Sequence, residues 1–147
     1  LDSPAGIDRG FKNAIAGADR AIVVTEPYIS SVRDADRAID CLENAGIKDT
    51  QLIINCVRPE EIKQGAAMDA DSVVDLLGIK ILGIVLWDGE ILKSAAEGKT
   101  VIDNSAALSA AAYKNIAARI LGENVPIMEI KPPKKGFLKR LMDAFVS

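Results

Sequence analysis

Residues 21–25 read AIVVT, residues 51–57 read QLIINCV and residues 79–86 read IKILGIVL. Each is a short apolar run rich in Ile and Val, too short for a buried helix and without the alternation of a strand wetted on one face. Such runs are strands buried on both faces of a parallel sheet. Helical segments lie between and after them. Ser30 or Ser31 caps a helix, with Asp34 three residues beyond Ser31 as in a capping box, and Gly46 ends it. A short helix around residues 73–77 stops at Gly78, Asp88 opens one that Gly98 closes, and Ser105 opens a long alanine-rich one that Gly122 closes. Strands alternating with helices predict an α/β fold with a mostly parallel sheet and helices on both faces. Leu1-Asp2-Ser3-Pro4, an apolar residue running into a turn with no initiating methionine, reads as the end of a strand whose start is missing. The expectation is the second half of a larger doubly wound fold.

Composition narrows the chemistry. The chain has 147 residues, 49% hydrophobic and only 4% aromatic, enough for one domain with an aliphatic core. It contains no histidine, which excludes Ser-His-Asp and Cys-His catalysis and histidine-ligated metals. Cys41 and Cys56 form no CxxC pair and no disulfide framework, consistent with two thiols in a reducing compartment. No signal peptide is visible.

Charge is divided unevenly. Five basic residues against Asp143 give residues 131–147 a net charge of +4, and the other 13 basic and 20 acidic residues leave the body at −7. Within the tail, Phe137, Leu138, Leu141, Met142, Phe145 and Val146 recur at helical steps and, with Ala144, cover roughly 200° of a helical wheel, while Lys139, Arg140, Asp143 and Ser147 share the rest. Pro132 and Pro133 separate this segment from what precedes it. A basic amphipathic helix of this length is too short to span a bilayer and suits an anionic membrane surface; docking on its own domain or on a partner protein is the competing reading.

In parallel sheets ligands sit beyond the carboxyl ends of the strands. The polar groups there are Asp2, Ser3 and the turn through Pro4, Ala5 and Gly6; the start of the second helix at Ser30, Arg33, Asp34 and Asp36; Asn55; and the loop Leu86, Trp87 and Asp88. A carboxylate followed by a Pro/Gly turn suits a magnesium-bound phosphate held through water, and an ordinary helix-capping turn equally. An asparagine amide can donate to and accept from a purine, or satisfy a loop. Trp87, the sole tryptophan, suits core packing or a ligand wall.

Taken in order, the segments DSPAGI (2–7), SSVRDADR (30–37), LIIN (52–55), GIVLWDGEILKSA (83–95), AYKNIAARILGENVP (112–126) and KKGFLKRL (134–141) resemble the carboxyl-terminal half of the MinD family. These are membrane-associated, deviant Walker A P-loop ATPases that place the bacterial division site. The resemblance implies a body over residues 1–126, a linker over 127–135 and a membrane-targeting helix over 136–147. It implies Asp2 as the catalytic, magnesium-side acid, Ser3 to Gly6 as the phosphate-sensing loop, and Asn55 with the Leu86 to Asp88 loop around adenine. Ser30, Arg33, Asp34 and Asp36 fall at the surface where an ATP-dependent homodimer forms and MinC and MinE bind. ATP and magnesium are the implied cofactors, anionic lipid the implied surface, and the inner face of the cytoplasmic membrane the implied location. No nucleic acid is expected, since the acidic body disfavours a ParA-like action on DNA. A non-enzymatic membrane- or partner-binding module is the remaining alternative. The chain departs from the family pattern in three places: it has no glycine-rich GKGGxGKT loop, Cys56 stands where arginine is common, and Tyr28 where an acid is frequent. Without that loop, the chain alone is expected not to hydrolyse ATP.

Overall fold

A computed structural model describes residues 1–3 and 6–128. Phe137 to Val146, expected from the sequence to form a membrane helix, and Pro4 and Ala5 lie outside that range. The elements run α1 (Arg9–Ile15), β1 (Arg20–Thr25), α2 (Ile29–Asn44), β2 (Asp49–Val57), α3 (Pro59–Lys63), α4 (Ala70–Leu77), β3 (Lys80–Leu86), α5 (Gly89–Ala96), a 3₁₀ turn (Val101–Asp103) and α6 (Leu108–Ile120). The three strands form one sheet in the order β1-β2-β3, parallel throughout. The expected α/β architecture is therefore present, with its strands where the apolar runs placed them.

The main core lies under one face. Val23, Leu52, Ile54, Val57 and Ile84 from the sheet meet Val32, Ile39 and Leu42 of α2 and Val73 and Leu77 of α4. Asp69 caps α4 by accepting from the Ser72 amide at 2.8 Å, and Gly78 ends it in the left-handed conformation, which costs a residue without Cβ nothing. On the other face α6 covers β3, packing Ala112 and Ile116 on Leu82 and Val85.

Two irregularities aim the strand ends. Leu52 pairs with Ile81 but Ile53 pairs with Gly83, so Leu82 is an extra residue and β3 bulges towards α6. Gly83 is required there: a Cβ would sit 2.3 Å from Ile116 Cγ1. Ile54 pairs with Ile84 and Val57 with Leu86, placing a second extra residue at Asn55–Cys56, where Cys56 takes φ 55°, the left-handed region that side chains disfavour. Arg119 secures the first bulge. Its guanidinium donates to the Leu82 carbonyl at 2.7 Å, to the Val125 carbonyl at 2.8 Å and to the Pro126 carbonyl. The chain beyond α6 is thereby held to β3, and the partly buried Ile127 and Met128 pack on the two faces of the core.

The helix starts differ from the sequence expectation in two places. α2 begins at Ile29 with Tyr28 as its cap residue and no side-chain cap, so Ser30 and Ser31 lie inside the first turn and the Ser31–Asp34 capping box does not form. Pro27 and the extended Tyr28 (φ −105°, ψ 143°) start the helix early. α6 begins at Leu108 because residues 101–107 are taken by the 3₁₀ turn and an Asn104 turn, whose side chain accepts from the Ala106 amide at 3.2 Å. α1 and α3 have no counterpart in the sequence reading.

Candidate functional site: two clefts at the strand ends

The first cleft, about 630 Å³, opens beyond the carboxyl ends of β2 and β3 and is lined by residues 57–60, 86–88, Glu90 and 106–108. It contains the predicted Leu86, Trp87 and Asp88. Trp87 is half-exposed, and its amide donates to the Val57 carbonyl at 3.0 Å, fixing the loop to β2. The Arg58 guanidinium lies 4.6 Å from the Trp87 ring centroid, a cation–π contact. The far wall is apolar, from Ala106, Ala107 and Leu108.

Asp88 borders this cleft, but its carboxylate is committed internally. One oxygen accepts from the Glu90 amide at 3.0 Å, capping α5, and the other from the Ser109 amide at 3.2 Å and hydroxyl at 2.7 Å. These donors hold the Asp88 carboxyl below its usual range, the Glu90 amide foremost. Ser109 is fully buried, so the pair clasps the loop after β3 to the start of α6. Glu90 extends the clasp, accepting from Asn104 at 3.3 Å and from Lys93. Asn55, predicted to face the same ligand, is only partly buried and does not line this cleft; it sits in the bulge behind it.

The second cleft, about 910 Å³, lies between the amino-terminal segment and the outer side of β1 and α2. Asp2, Ser3 and Gly6 line it together with Thr25, Glu26, Ser31 and Asp34. Asp2 is exposed, and Gly6 turns the chain with φ 90°. Ser30, Arg33, Asp34 and Asp36 are all exposed on the first turns of α2; Asp34 also pairs with Arg37 at 3.5 Å. Among the described residues no strand pairs with the outer edge of β1, and Ile22 and Val24 are 45% and 58% exposed.

The two linings fit different parts of a magnesium nucleotide. The first offers an aromatic ring, a planar cation and an apolar wall, which suit a flat base. The second offers carboxylates, suiting the hydration shell of a magnesium ion. Its sole basic lining residue is Arg20, at the opposite end of β1 and paired with Asp49 at 3.3 Å. The described lining supplies no unpaired basic side chain to neutralise phosphates, and no hydrolytic step follows from it. Among the described residues no group of three acidic or thiol side chains could hold a metal ion directly.

Sequence reasoning missed Glu61 and Ser109 and reached Arg58 only as the last residue of the strand end 55–58, with no role assigned to it. The i,i+3 spacing of Arg58 and Glu61 and a lone serine within LSAAAY were the available signals.

A parallel sheet with helices on both faces and a cleft beyond the carboxyl ends of β2 and β3 is P-loop-NTPase-like architecture. No family model matches the chain. It is 44% identical over 146 residues to the septum site-determining protein MinD of Bacillus subtilis (strain 168), an alignment covering 99% of this chain and 54% of that protein. Among solved structures, MinD in the MinC:MinD cell division protein complex of Aquifex aeolicus superposes with a TM-score of 0.83 at 33% identity, covering 88% of this chain and 54% of that one. The septum site-determining MinD of Pyrococcus horikoshii OT3, complexed with Mg-ADP, superposes at 0.72 over 84% of this chain and 52% of that one, with 21% identity, and speaks for the fold alone. The chain belongs to the MinD family and corresponds to its carboxyl-terminal portion. It spans about half the length of the relatives it matches.

Proposed function

We propose that this chain is the base-binding and membrane-attaching part of an ATPase that positions the bacterial division septum. The observation that carries the reading is the 44% identity to a septum site-determining MinD along 99% of the chain. In this reading the Trp87 cleft takes adenine, with Asn55 behind it, and Asp2 holds magnesium through water. Ser3 to Gly6 would sense the terminal phosphate, whose charge the remainder of the protein would neutralise. ATP would bring two copies together across the surface carrying Ser30, Arg33, Asp34 and Asp36, where MinC and MinE would also dock. Residues 1–126 would form the nucleotide-binding body, 127–135 the linker and 136–147 the membrane helix.

The tail supplies the switch. A helix of about 12 residues is marginal in water. Burying the Phe137, Leu138, Leu141, Met142, Phe145 and Val146 face at an anionic surface favours it, and each nearby Lys or Arg adds on the order of 1 kcal/mol. Pairing two tails raises avidity by about 10²–10⁴. Nucleotide-driven dimerisation then moves the protein to the inner face of the cell membrane without any change in the tail.

Vesicle co-sedimentation of the full-length protein tests this. Binding to anionic vesicles is expected with ATP and not with ADP, and Leu141→Glu should abolish it while leaving dimerisation intact. Equal binding in both nucleotide states, or full binding by the variant, would contradict the reading.

A further inference from the structure

One carboxylate in the structure serves two masters. Glu61, on the five-residue helix α3, accepts from the Tyr28 hydroxyl at 2.6 Å with one oxygen and from Arg58 at 3.3 Å with the other. These partners come from different parts of the chain. Tyr28 is the residue from which α2 starts, its carbonyl accepting from the Val32 amide at 2.9 Å. Arg58 is the residue from which α3 starts, with Pro59 fixing the backbone of the first helical position, and its guanidinium lies on Trp87. The backbone beneath is equally constrained: Pro27 is fully buried and its carbonyl accepts from the Met68 amide at 2.8 Å.

A carboxylate with a donor on each oxygen has a defined plane. The carboxylate restrains the guanidinium, holding its Nη1 by one oxygen while the group lies over the Trp87 ring. The electrostatics agree with the geometry. The Tyr28 hydroxyl, and after it Arg58, holds the Glu61 carboxyl below its usual range, and the same bond raises the Tyr28 phenol. Tyr28–Glu61–Arg58–Trp87 is thus an unbroken chain of contacts from the first turn of α2 to the wall of the cleft.

We propose that Glu61 is a positioning residue that sets Arg58 against Trp87 and, through Tyr28, makes the wall of the base cleft and the first turn of α2 a single mechanical unit. This goes beyond the nucleotide reading and rests on it only for what enters the cleft. Its consequence is that a ligand shifting Trp87 is felt at the surface that begins with Ser30, and a partner docking there is felt at Trp87.

The test uses the 147-residue chain, whose only tryptophan is Trp87, without nucleotide. Its outcome is therefore independent of whether the cleft takes a nucleotide. Glu61→Gln and Tyr28→Phe should each lower the stacked Arg58–Trp87 population by about two- to five-fold, the scale of an exposed cation–π contact. The readout is increased acrylamide quenching of Trp87 at an unchanged thermal midpoint, a combination that a merely stabilising role would not give. In the reverse direction, Trp87→Ala should speed hydrogen exchange at the Val32 amide. Wild-type quenching in both variants would overturn the proposal, and so would unchanged Val32 exchange in Trp87→Ala.

Discussion

The two clefts at the strand ends differ in how far their own chain completes them. Around the first, the main polar groups are partnered: Asp88 is clasped to Ser109 of α6, Arg58 is held by Glu61 one turn further along, and Trp87 is tied through its amide to Val57. Around the second, Asp2, Glu26 and Asp34 share a lining whose one basic residue is Arg20, Asp34 is paired only within its own helix to Arg37 at 3.5 Å, and the adjoining β1 exposes Ile22 and Val24. A finished wall is one whose groups neutralise each other. The acidic cleft lacks that property, and the difference is the physical reason for assigning the base to one and only the cation side of the phosphates to the other.

Substitutions on the finished side should cost most. Gly83→Ala drives a methyl into Ile116 where β3 bulges under α6, and should lose about 1–3 kcal/mol in chemical denaturation, the usual cost of overpacking. A smaller loss would mean that α6 is seated loosely and the cleft wall is not fixed.

Ser109→Ala comes next. It leaves the Asp88 carboxylate one hydrogen bond short beside a buried site, and should cost about 1–3 kcal/mol near neutral pH. The sign of its pH dependence follows from the depressed Asp88 value. A depressed carboxyl contributes stability that is complete above about 3.9, the unperturbed aspartate value, and is lost as pH falls through the folded value. The wild type should therefore lose stability at acid pH more steeply than Ser109→Ala, and the two unfolding curves should converge there. Parallel curves would remove Asp88 from the clasp.

The open side should hardly respond. Val24→Thr, at a position 58% exposed, should change the stability of this chain by less than about 0.5 kcal/mol. A loss as large as that at Gly83 would show that the outer face of β1 is covered, and the contrast between the clefts would fail.

What the sequence reveals follows the range of the interactions. Strands buried on both faces announce themselves as unbroken Ile/Val runs, and QLIINCV and IKILGIVL fall within β2 and β3 or overrun them by a residue. Asp88 as a helix start is local chemistry and is equally readable. The start of α2 is misread because two serines and an aspartate imitate a capping box, while the deciding feature is the Pro27–Tyr28 corner. The bulges at Leu82 and at Asn55–Cys56 arise from register between strands, which periodicity within one strand cannot express. The pairs that shape the first cleft are long-range: Tyr28 and Glu61 lie 33 residues apart, and Asp88 and Ser109 lie 21 apart. The family resemblance marks the loop around Trp87 but not the residues that hold it.

Whether this chain completes the base side of a nucleotide site and not the phosphate side is tested most directly by titrating it with adenosine, ADP and ATP, with and without magnesium, while following Trp87 emission. All three ligands are expected to perturb Trp87 with the same modest affinity, and magnesium to make no difference. A magnesium-dependent preference for ATP, or no response of Trp87 to any of the three, would contradict that assignment.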